Sequence, residues 1–465
     1  MVRRVEITAE VERKLEAPDG FELPDLGGSP LETRVFTSVY HDTADGSLAR
    51  AGITLRRRTE RGRSVWQLKL PASDARLELE QPGGPTEPPP ELARLLAAHL
   101  RHGAVVPVAE LRTRRHGSLV ARNGTTAEVT IDEVAVMDAL RVTDEFVEIE
   151  VELRSGDPKR LDEIVGEVTV AGAQPTNGAP KLFRVLGLGH RRRRRPRNPY
   201  DALRALLRRQ LNEILAHDPG TRLGKDPESL HDMRVAVRRS RALLRAGRAL
   251  IATDTKALML ELRWLGEELG SVRDLDVLLE RLRAEAAALD PPDRAAASRL
   301  LRSLARERAR AHRALLKALD GTRYLALLDS FEATLAGLEP RKSGTTLDAV
   351  ARRQLKKLGR AVRAVGADPA DVELHELRKL GKRARYAYEL AGNDRAVRRA
   401  TALQDVLGKH QDAVVAEARL RSLAADAPAA QALAAGRLIE GERRRRRRAR
   451  ARWRKTWRRL ERAAR

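Results

Sequence analysis

The segment AEVERKLE places Glu10, Glu12 and Lys14 two residues apart, with Val11, Arg13 and Leu15 between them. In a strand, alternate residues share a face. Two carboxylates and an ammonium would then line one side of the chain. Carboxylate oxygens are hard donors that suit Mg2+ or Mn2+, and a lysine beside them neutralises phosphate oxygens. Taken alone, the same alternation also describes a strand with its charged face in water, where ion pairs contribute little.

Later segments repeat the alternation. Arg56 and Arg58 share a face in TLRRR, and Lys69 sits in WQLKLP. Arg76, Glu78 and Glu80 alternate in RLELE, as do Arg112 and Arg114 in LRTRR. Asp132 interrupts the apolar run of VTIDEV, Glu148, Glu150 and Glu152 alternate in FVEIEVEL, and Lys181 follows Pro180 in GAPKLF. Each charged face opposes an apolar one. A sheet closed with its charged faces inward would hold both signs together, which is costly unless a bound species uses both. A metal-bound polyphosphate does: carboxylates hold the cation, and Arg and Lys take the phosphates.

A second set of residues follows a helical period. His231, Arg234, Arg238, Arg241 and Arg245 recur at three- or four-residue steps in HDMRVAVRRSRALLR. His375, Arg378, Lys382 and Arg385 do the same in HELRKLGKRARYAYEL. Such spacing makes one stripe along a helix. Few acids stand four residues away to balance either stripe. Downstream, LGSVRDLDV at 269–277 answers LGKHQDAVV at 407–415. The copies lie about 140 residues apart, which points to duplication of a whole bundle rather than a solenoid.

The elements that must position these residues change character near residue 190. Before it, short alternating segments separated by Gly, Pro and Asp predict an antiparallel sheet or barrel. One amphipathic helix is expected over 90–100, where Leu92, Leu95, Leu96 and Leu100 keep helical spacing. GLGHRRRRRPRNPY, 187–200, reads as an exposed linker. From Tyr200 the pattern is helical almost throughout and predicts eight or more helices in bundles. The fold class is therefore α+β in two domains. Residues 1–190 make an antiparallel β-barrel or tunnel with flanking helices, 191–199 a linker, and 200–465 an all-α domain of two related bundles.

Bulk properties agree. The 465 residues suffice for two or three domains. A net charge of +25 implies a polyanionic partner. Aromatics at 3% leave little surface for stacking bases. With no cysteine, disulfides and thiolate metal sites are excluded. The first residues lack the apolar stretch of a signal peptide, and no apolar run reaches membrane-spanning length. A cytoplasmic location, with association to polyphosphate granules, is the expectation.

In order, VERKLE, VYHDTADGSLARAGITLRRR, WQLKLP, IDEV, FVEIEVEL and APKLF resemble the signature of the CYTH domain, the triphosphate tunnel metalloenzyme fold. That family includes class IV adenylate cyclases, thiamine triphosphatases and inorganic triphosphatases. The resemblance spans about residues 3–190. It implies that Lys14, Arg56, Arg58, Lys69, Arg112 or Arg114, and Lys181 bind a triphosphate. It further implies that Glu10, Glu12, Glu148 and Glu150 hold Mg2+ or Mn2+, with Asp132 nearby, so that Glu10, Glu12, Lys14 and Asp132 carry the catalysis. Glu80 and Glu152 are placed at the tunnel mouth.

From Tyr200 onward the chain resembles the CHAD domain, a helical module of two related bundles associated with inorganic polyphosphate. VRDLD and KHQDA match beside the two His-led helices. The resemblance implies polyphosphate contacts at His231, Arg234, Arg238, Arg241, Arg245, Arg273, His375, Arg378, Lys382, Arg385 and His410. Asp274 and Asp412 would orient basic partners or cap helices. The implied activity is hydrolysis of inorganic triphosphate or a related triphosphate, with longer polyphosphate held by the helical domain. A non-catalytic polyphosphate binder and an adenylate cyclase are the alternatives, and nucleic acid ranks third as a partner.

Other motifs carry less. GTRLGK, 220–225, resembles a phosphate loop, but its glycines are one residue too close and Asp226 replaces the metal-binding Ser or Thr. His41 in YHDT reads as structural. In the arginine-rich tail from Glu442, Trp453, Trp457 and Leu460 share a face that docks on the bundle.

Overall fold

The computed structural model describes residues 6–71, 76–176, 178, 180–187, 198–341 and 345–464. It divides into two compact units, Met1–Arg193 and Arg194–Arg465. The arginines expected to form a linker, 191–197, lie outside the described residues.

The first unit is one antiparallel sheet with short helices. Its strands are β1 (Glu6–Glu10), β2 (Glu12–Glu16), β3 (Ser29–Pro30), β4 (Arg34–Asp42), β5 (Thr54–Glu60) and β6 (Arg63–Pro71). They continue as β7 (Arg76–Gln81), β8 (Val106–Arg122), β9 (Thr125–Asp138), β10 (Arg141–Ser155) and β11 (Gln174–Pro175). Four helices accompany them: α1 (Ser47–Arg50), α2 (Pro90–Leu100), α3 (Pro158–Val170) and α4 (Lys181–Val185). The expected helix over 90–100 is α2, with Leu92, Leu95 and Leu96 buried.

The strand order is β1-β7-β6-β5-β4-β8-β9-β10-β2-β11, with β3 on β8. A barrel closed by hydrogen bonds was the expectation, and the ladder is instead open. The physical reason lies in the opening segment. β1 and β2 are successive halves of one extended stretch, so they cannot pair with each other. The first half pairs with β7 and the second with β10. Between them, the Val11 carbonyl accepts from the Leu153 amide at 2.9 Å. The two arms of the sheet are thus joined covalently through Val11.

Alternation sorts the side chains. Leu15, Val129, Ile131, Ile149 and Val151 point to one side and pack with Leu161, Ile164 and Val168 of α3. The opposite side carries the charges. Further along that side, Tyr40, Leu111, Val134, Val136 and Phe146 form an apolar cluster with Leu182 of α4. The inner face is therefore charged over part of its length and apolar over the rest. α4 docks on the apolar part, which brings Lys181 to the charged part.

The second unit is helical: α5 (Pro199–Leu223), α6 (Pro227–Ala246), α7 (Lys256–Ala287), α8 (Pro291–Leu319) and α9 (Thr322–Ala336), then α10 (Leu347–Ala364), α11 (Asp371–Leu390), α12 (Asp394–Ala424) and α13 (Ala429–Ala463). The repeated segments are the pairs α6–α7 and α11–α12. GTRLGK ends α5 and begins no phosphate loop. Gly224 there is a left-handed C-cap, and Arg222 is buried against Asp218 at 2.7 Å. Trp453, Trp457 and Leu460 of α13 enter a core with Leu358, Leu377 and Leu403, as their shared face predicts. The arginines beside them dock too: Arg443 pairs with Glu417, Arg446 with Asp371, and Arg450 with Asp368 and Asp371. No helix among the described residues is long and apolar enough to cross a membrane.

Candidate active site

A cavity of about 230 Å³ in the first unit is lined by the charged face of the sheet. Each strand contributes through its alternation. β1 and β2 supply Glu10, Glu12 and Lys14; β5 supplies Arg56 and Arg58; β6 supplies Gln67 and Lys69; β7 supplies Arg76, Glu78 and Glu80. β9 and β10 supply Asp132, Glu150 and Glu152, and Lys181 comes from the start of α4.

The expected basic pair on β8 is a correction. Arg112 and Arg114 are exposed on the other side of the strand, where Arg114 pairs with Glu133 at 2.9 Å. The inward residues of β8 are Leu111, Thr113 and Arg115. Arg115 donates to both oxygens of Asp132 at 2.6 Å and to Glu150 at 2.5 Å. Further lining residues were missed, Arg154 of β10 among them. Arg34 and Tyr40 reach the cavity from β4, with Phe36 and Ser38 between them. That strand has no alternating charge, so only its register with β8, Arg34 opposite Arg115 and Phe36 opposite Thr113, places it.

The ion pairs form a dense centre. Lys14 Nζ donates to Glu148 and Glu150, each at 2.6 Å. Lys181 Nζ lies 2.6 Å from Glu150, 2.9 Å from Glu148 and 2.8 Å from Asp132. Burial works against every one of these charges, and the partners outweigh it. Glu150 is held well below the ordinary carboxylate value by Lys14, Lys181 and Arg115. Lys181 is raised well above the lysine value by Asp132, Glu148 and Glu150.

Two poles flank this centre, one dominated by guanidiniums with Glu60 beside Arg34 and Arg58, the other by carboxylates with Lys69 beside Glu10 and Arg154 beside Glu152. Arg58 is pushed down to about 10 by burial and by the charges of Arg56, Arg34 and Arg115. Glu152 is pushed up to about 7 by burial, with the Glu10 and Glu150 charges adding to it. Glu152 stands directly opposite Glu12 in the β10–β2 register. Both oxygens of Glu10 accept from Lys69 at 2.6 Å. A species with an anionic body and a bound cation would relieve both poles at once.

The donor set fits a divalent cation in kind: Glu10, Glu12 and Glu152 offer hard carboxylate oxygens, with Lys69 and Arg154 beside them. The other expected ligands, Glu148 and Glu150, pair with Lys14 and Lys181, as Glu10 pairs with Lys69 and Glu152 with Arg154. No three donors converge on a metal position among the described residues. His41 is structural, as expected: its ring lies 4.7 Å from that of Trp66.

In the second unit, the α6 and α11 stripes meet. Arg238 donates to Tyr386 at 3.0 Å, and Arg239 pairs with Glu389. Lys382 is pushed down to about 7 by burial and by Arg378, Arg238, Arg234 and Arg385. The repeated glycines explain how the arginines fit. A Cβ at Gly270 would lie 3.5 Å from Arg234, and one at Gly408 would lie 3.8 Å from Arg378. Each arginine thus lies against a bare turn of the partner helix.

Other stripe residues sit apart from Lys382. Asp274 pairs with Arg234 at 3.0 Å, and Arg273 with Glu228 at 3.2 Å. Burial and Arg273 hold His231 below the ordinary histidine value. His375 contacts Gln411 at 2.9 Å. Arg241 neighbours Arg245 and Arg263 rather than the Lys382 group. His410 is a second correction. It is buried 3.1 Å from Asp371, beside Arg446 and Arg450 of α13. One helical position decides this: Gln411, not His410, faces the stripe.

Fold and cavity together define a two-unit protein with a triphosphate-type tunnel followed by a basic helical domain. A CYTH domain model matches residues 8–182, and a CHAD domain model matches residues 205–421. An uncharacterized protein of Mycobacterium tuberculosis is 32% identical over 459 residues, covering 88% of each chain. Among solved structures, PptA from Streptomyces chartreusis is 26% identical, with a TM-score of 0.48, over 56% of this chain and 99% of that one. The CHAD domain of the plant Ricinus communis is 29% identical, with a TM-score of 0.41, over 55% of this chain and 86% of that one. The chain belongs to the family of proteins in which a CYTH domain precedes a CHAD domain. CYTH domains are triphosphate tunnel enzymes that generally depend on a divalent metal.

Proposed function

We propose that the tunnel hydrolyses inorganic triphosphate and that the α6–α11 face holds longer polyphosphate. The observation that carries the tunnel reading is an arginine-rich pole and a carboxylate-rich pole sharing one small cavity. Arg34, Arg56, Arg58 and Arg115 take the phosphate oxygens, and Lys14 and Lys181 lie between them and the acids. These groups fix the chain and stabilise charge as the bridging bond breaks, which is most of what phosphoryl transfer asks of a protein. Glu10, Glu12 and Glu152 would hold Mg2+ or Mn2+. When bound, the cation draws charge off the leaving phosphate.

The preference for inorganic substrate follows from what the cavity lacks. Its volume of about 230 Å³ falls below the roughly 300–1,000 Å³ of pockets that hold drug-sized ligands. Its two aromatic rings each have an arginine beside them. Arg58 lies 3.7 Å over Phe36, and Arg56 lies 5.9 Å from the centre of Tyr40.

On the helical face, a polyanion would relieve the repulsion around Lys382. A cytoplasmic location suits this substrate pair.

A pair of substitutions tests the tunnel assignment. Arg58→Ala is expected to raise KM for tripolyphosphate about 10- to 100-fold, the worth of a charge-assisted contact. Arg112→Ala, on the outer face, should leave kcat and KM within about twofold. Steady-state phosphate release measures both. Equal effects would overturn the placement of the phosphate pole.

A further inference from the structure

Glu60 is the last residue of β5, two residues beyond Arg58 on the same face of the strand. Arg34 donates to both of its oxygens, through Nε at 2.7 Å and Nη2 at 2.8 Å. Arg58 donates to it through Nη2, also at 2.8 Å. The Arg34 hydrogen bond, with the charges of Arg58 and Arg34, pulls the Glu60 pKa down to about 2, so the carboxylate stays ionised. Arg63 stands opposite in the β5–β6 register but is exposed, and the three bonds of Glu60 go to Arg34 and Arg58. A fixed anion among arginines that take phosphate weakens their attraction, so its presence there calls for a reason.

Its position along the strand supplies one. Lys69, which holds Glu10 of the carboxylate-rich pole, stands opposite Thr54. From Thr54 the inward residues of β5 are Arg56, Arg58 and then Glu60. Thr54, Arg56 and Arg58 line the cavity and Glu60 does not, so it stands where the cavity ends along β5. Arg58 is held on two sides, by Glu60 and by the ring of Phe36 at 3.7 Å, and its buried Nε has no partner. That Nε is a donor left for a ligand. A linear phosphate with one end at the carboxylates and its body on Arg56 and Arg58 meets Glu60 next, about 7 Å further along the strand.

We propose that Glu60 is a specificity residue of the tunnel, a carboxylate anchored on Arg34 and Arg58 that bounds the phosphate chain the tunnel accepts. A triphosphate stops short of it. A longer chain brings a further phosphoryl group against it, and like charges in contact exclude the wrong ligand. Glu60 touches no reacting atom and does not enter the hydrolysis itself. This inference rests on reading the cavity as a triphosphate tunnel, and it divides the labour of the chain: short phosphates to the tunnel, long ones to the helical face.

The experiment compares the full chain with Glu60→Gln and Glu60→Asp on tripolyphosphate and tetrapolyphosphate, by phosphate release with metal present. Glutamine keeps the size of the side chain and removes its charge; aspartate keeps the charge. The ratio of kcat/KM for tetrapolyphosphate to that for tripolyphosphate should rise about tenfold or more in Glu60→Gln, chiefly through KM for the longer chain. Glu60→Asp should keep the wild-type ratio. An ion pair with a structural role alone would change both substrates alike. An unmoved ratio in Glu60→Gln, or an equal rise in Glu60→Asp, therefore overturns the proposal. Calorimetry on the same proteins keeps the two readings apart, because the helical face is the same in all of them and cancels from the comparison. If the phosphates bind and neither is cut, the hydrolysis reading falls and the ratio of affinities decides this one. If both are cut and the ratio does not move, this inference falls alone.

Discussion

Glu10→Gln is expected to lower metal-dependent phosphate release by about 10²-fold or more while tripolyphosphate binding survives. Glu10 is almost buried, at 7% exposure, and grips Lys69 with both oxygens. It also stands close enough to Glu152 to raise that residue's pKa. Glutamine keeps the shape and removes the charge. The acidic pole loses one of its hard ligands, and Lys69 loses its closest partner and keeps Glu78 at 3.6 Å. The phosphate pole at Arg34, Arg56, Arg58 and Arg115 is untouched, and the cavity becomes one charge more positive. Holding and cutting should therefore separate. Calorimetry reads the first and phosphate release the second. Unchanged release in the variant would remove Glu10 from the catalytic set.

Polyphosphate binding by the helical unit should strengthen as pH falls through about 7, with uptake of a proton. Lys382 has a pKa of about 7 in the free protein because burial and four arginines disfavour its charge. A polyanion laid across Arg234, Arg238, Arg378 and Arg385 reverses that field and raises the value. Above the free value the lysine must gain a proton to bind well. Well below it, the proton is already present and the dependence flattens. His231, at the leading end of the α6 stripe, is also held low by burial and Arg273, and adds uptake at lower pH. Calorimetry in two buffers of different ionisation enthalpy counts the protons.

Lys382→Met should remove most of the uptake near neutral pH and weaken binding. Its effect on stability has the opposite sign. Lys382 holds its proton less tightly folded, at about 7, than unfolded, near the ordinary lysine value of 10.5. Unfolding between those values takes up a proton, so the helical unit gains stability as pH rises through that window. The variant should lack this gain. Affinity that is the same at about pH 6 and about pH 9 would contradict the account.

The strands and helices that carry charge at their own period were legible from sequence. Glu10, Glu12, Lys14, Arg56, Arg58, Lys69, Asp132 and Lys181 all line the cavity. What escaped has physical causes. In LRTRR three basic residues lie within four positions, so charge alone cannot choose the parity. Register with β4 chooses it and turns Arg115 inward. Arg34, Phe36 and Tyr40 carry no alternating signature, and only pairing reveals them. The lysine partners of Glu148 and Glu150 could not be read either, because Lys14 and Lys181 reach them from strand and helix distant in sequence. His410 shares a helix with Gln411, and the packing of α13 decides which of them faces the stripe.

The most direct test of the tunnel's role is phosphate release from inorganic tripolyphosphate by the full chain, with Mg2+, with Mn2+ and with chelator. The account predicts release with at least one of the metals, none with chelator, and faster turnover of tripolyphosphate than of ATP or thiamine triphosphate. Tripolyphosphate that binds but is not cut with either metal would contradict it and leave a tunnel that only holds its ligand.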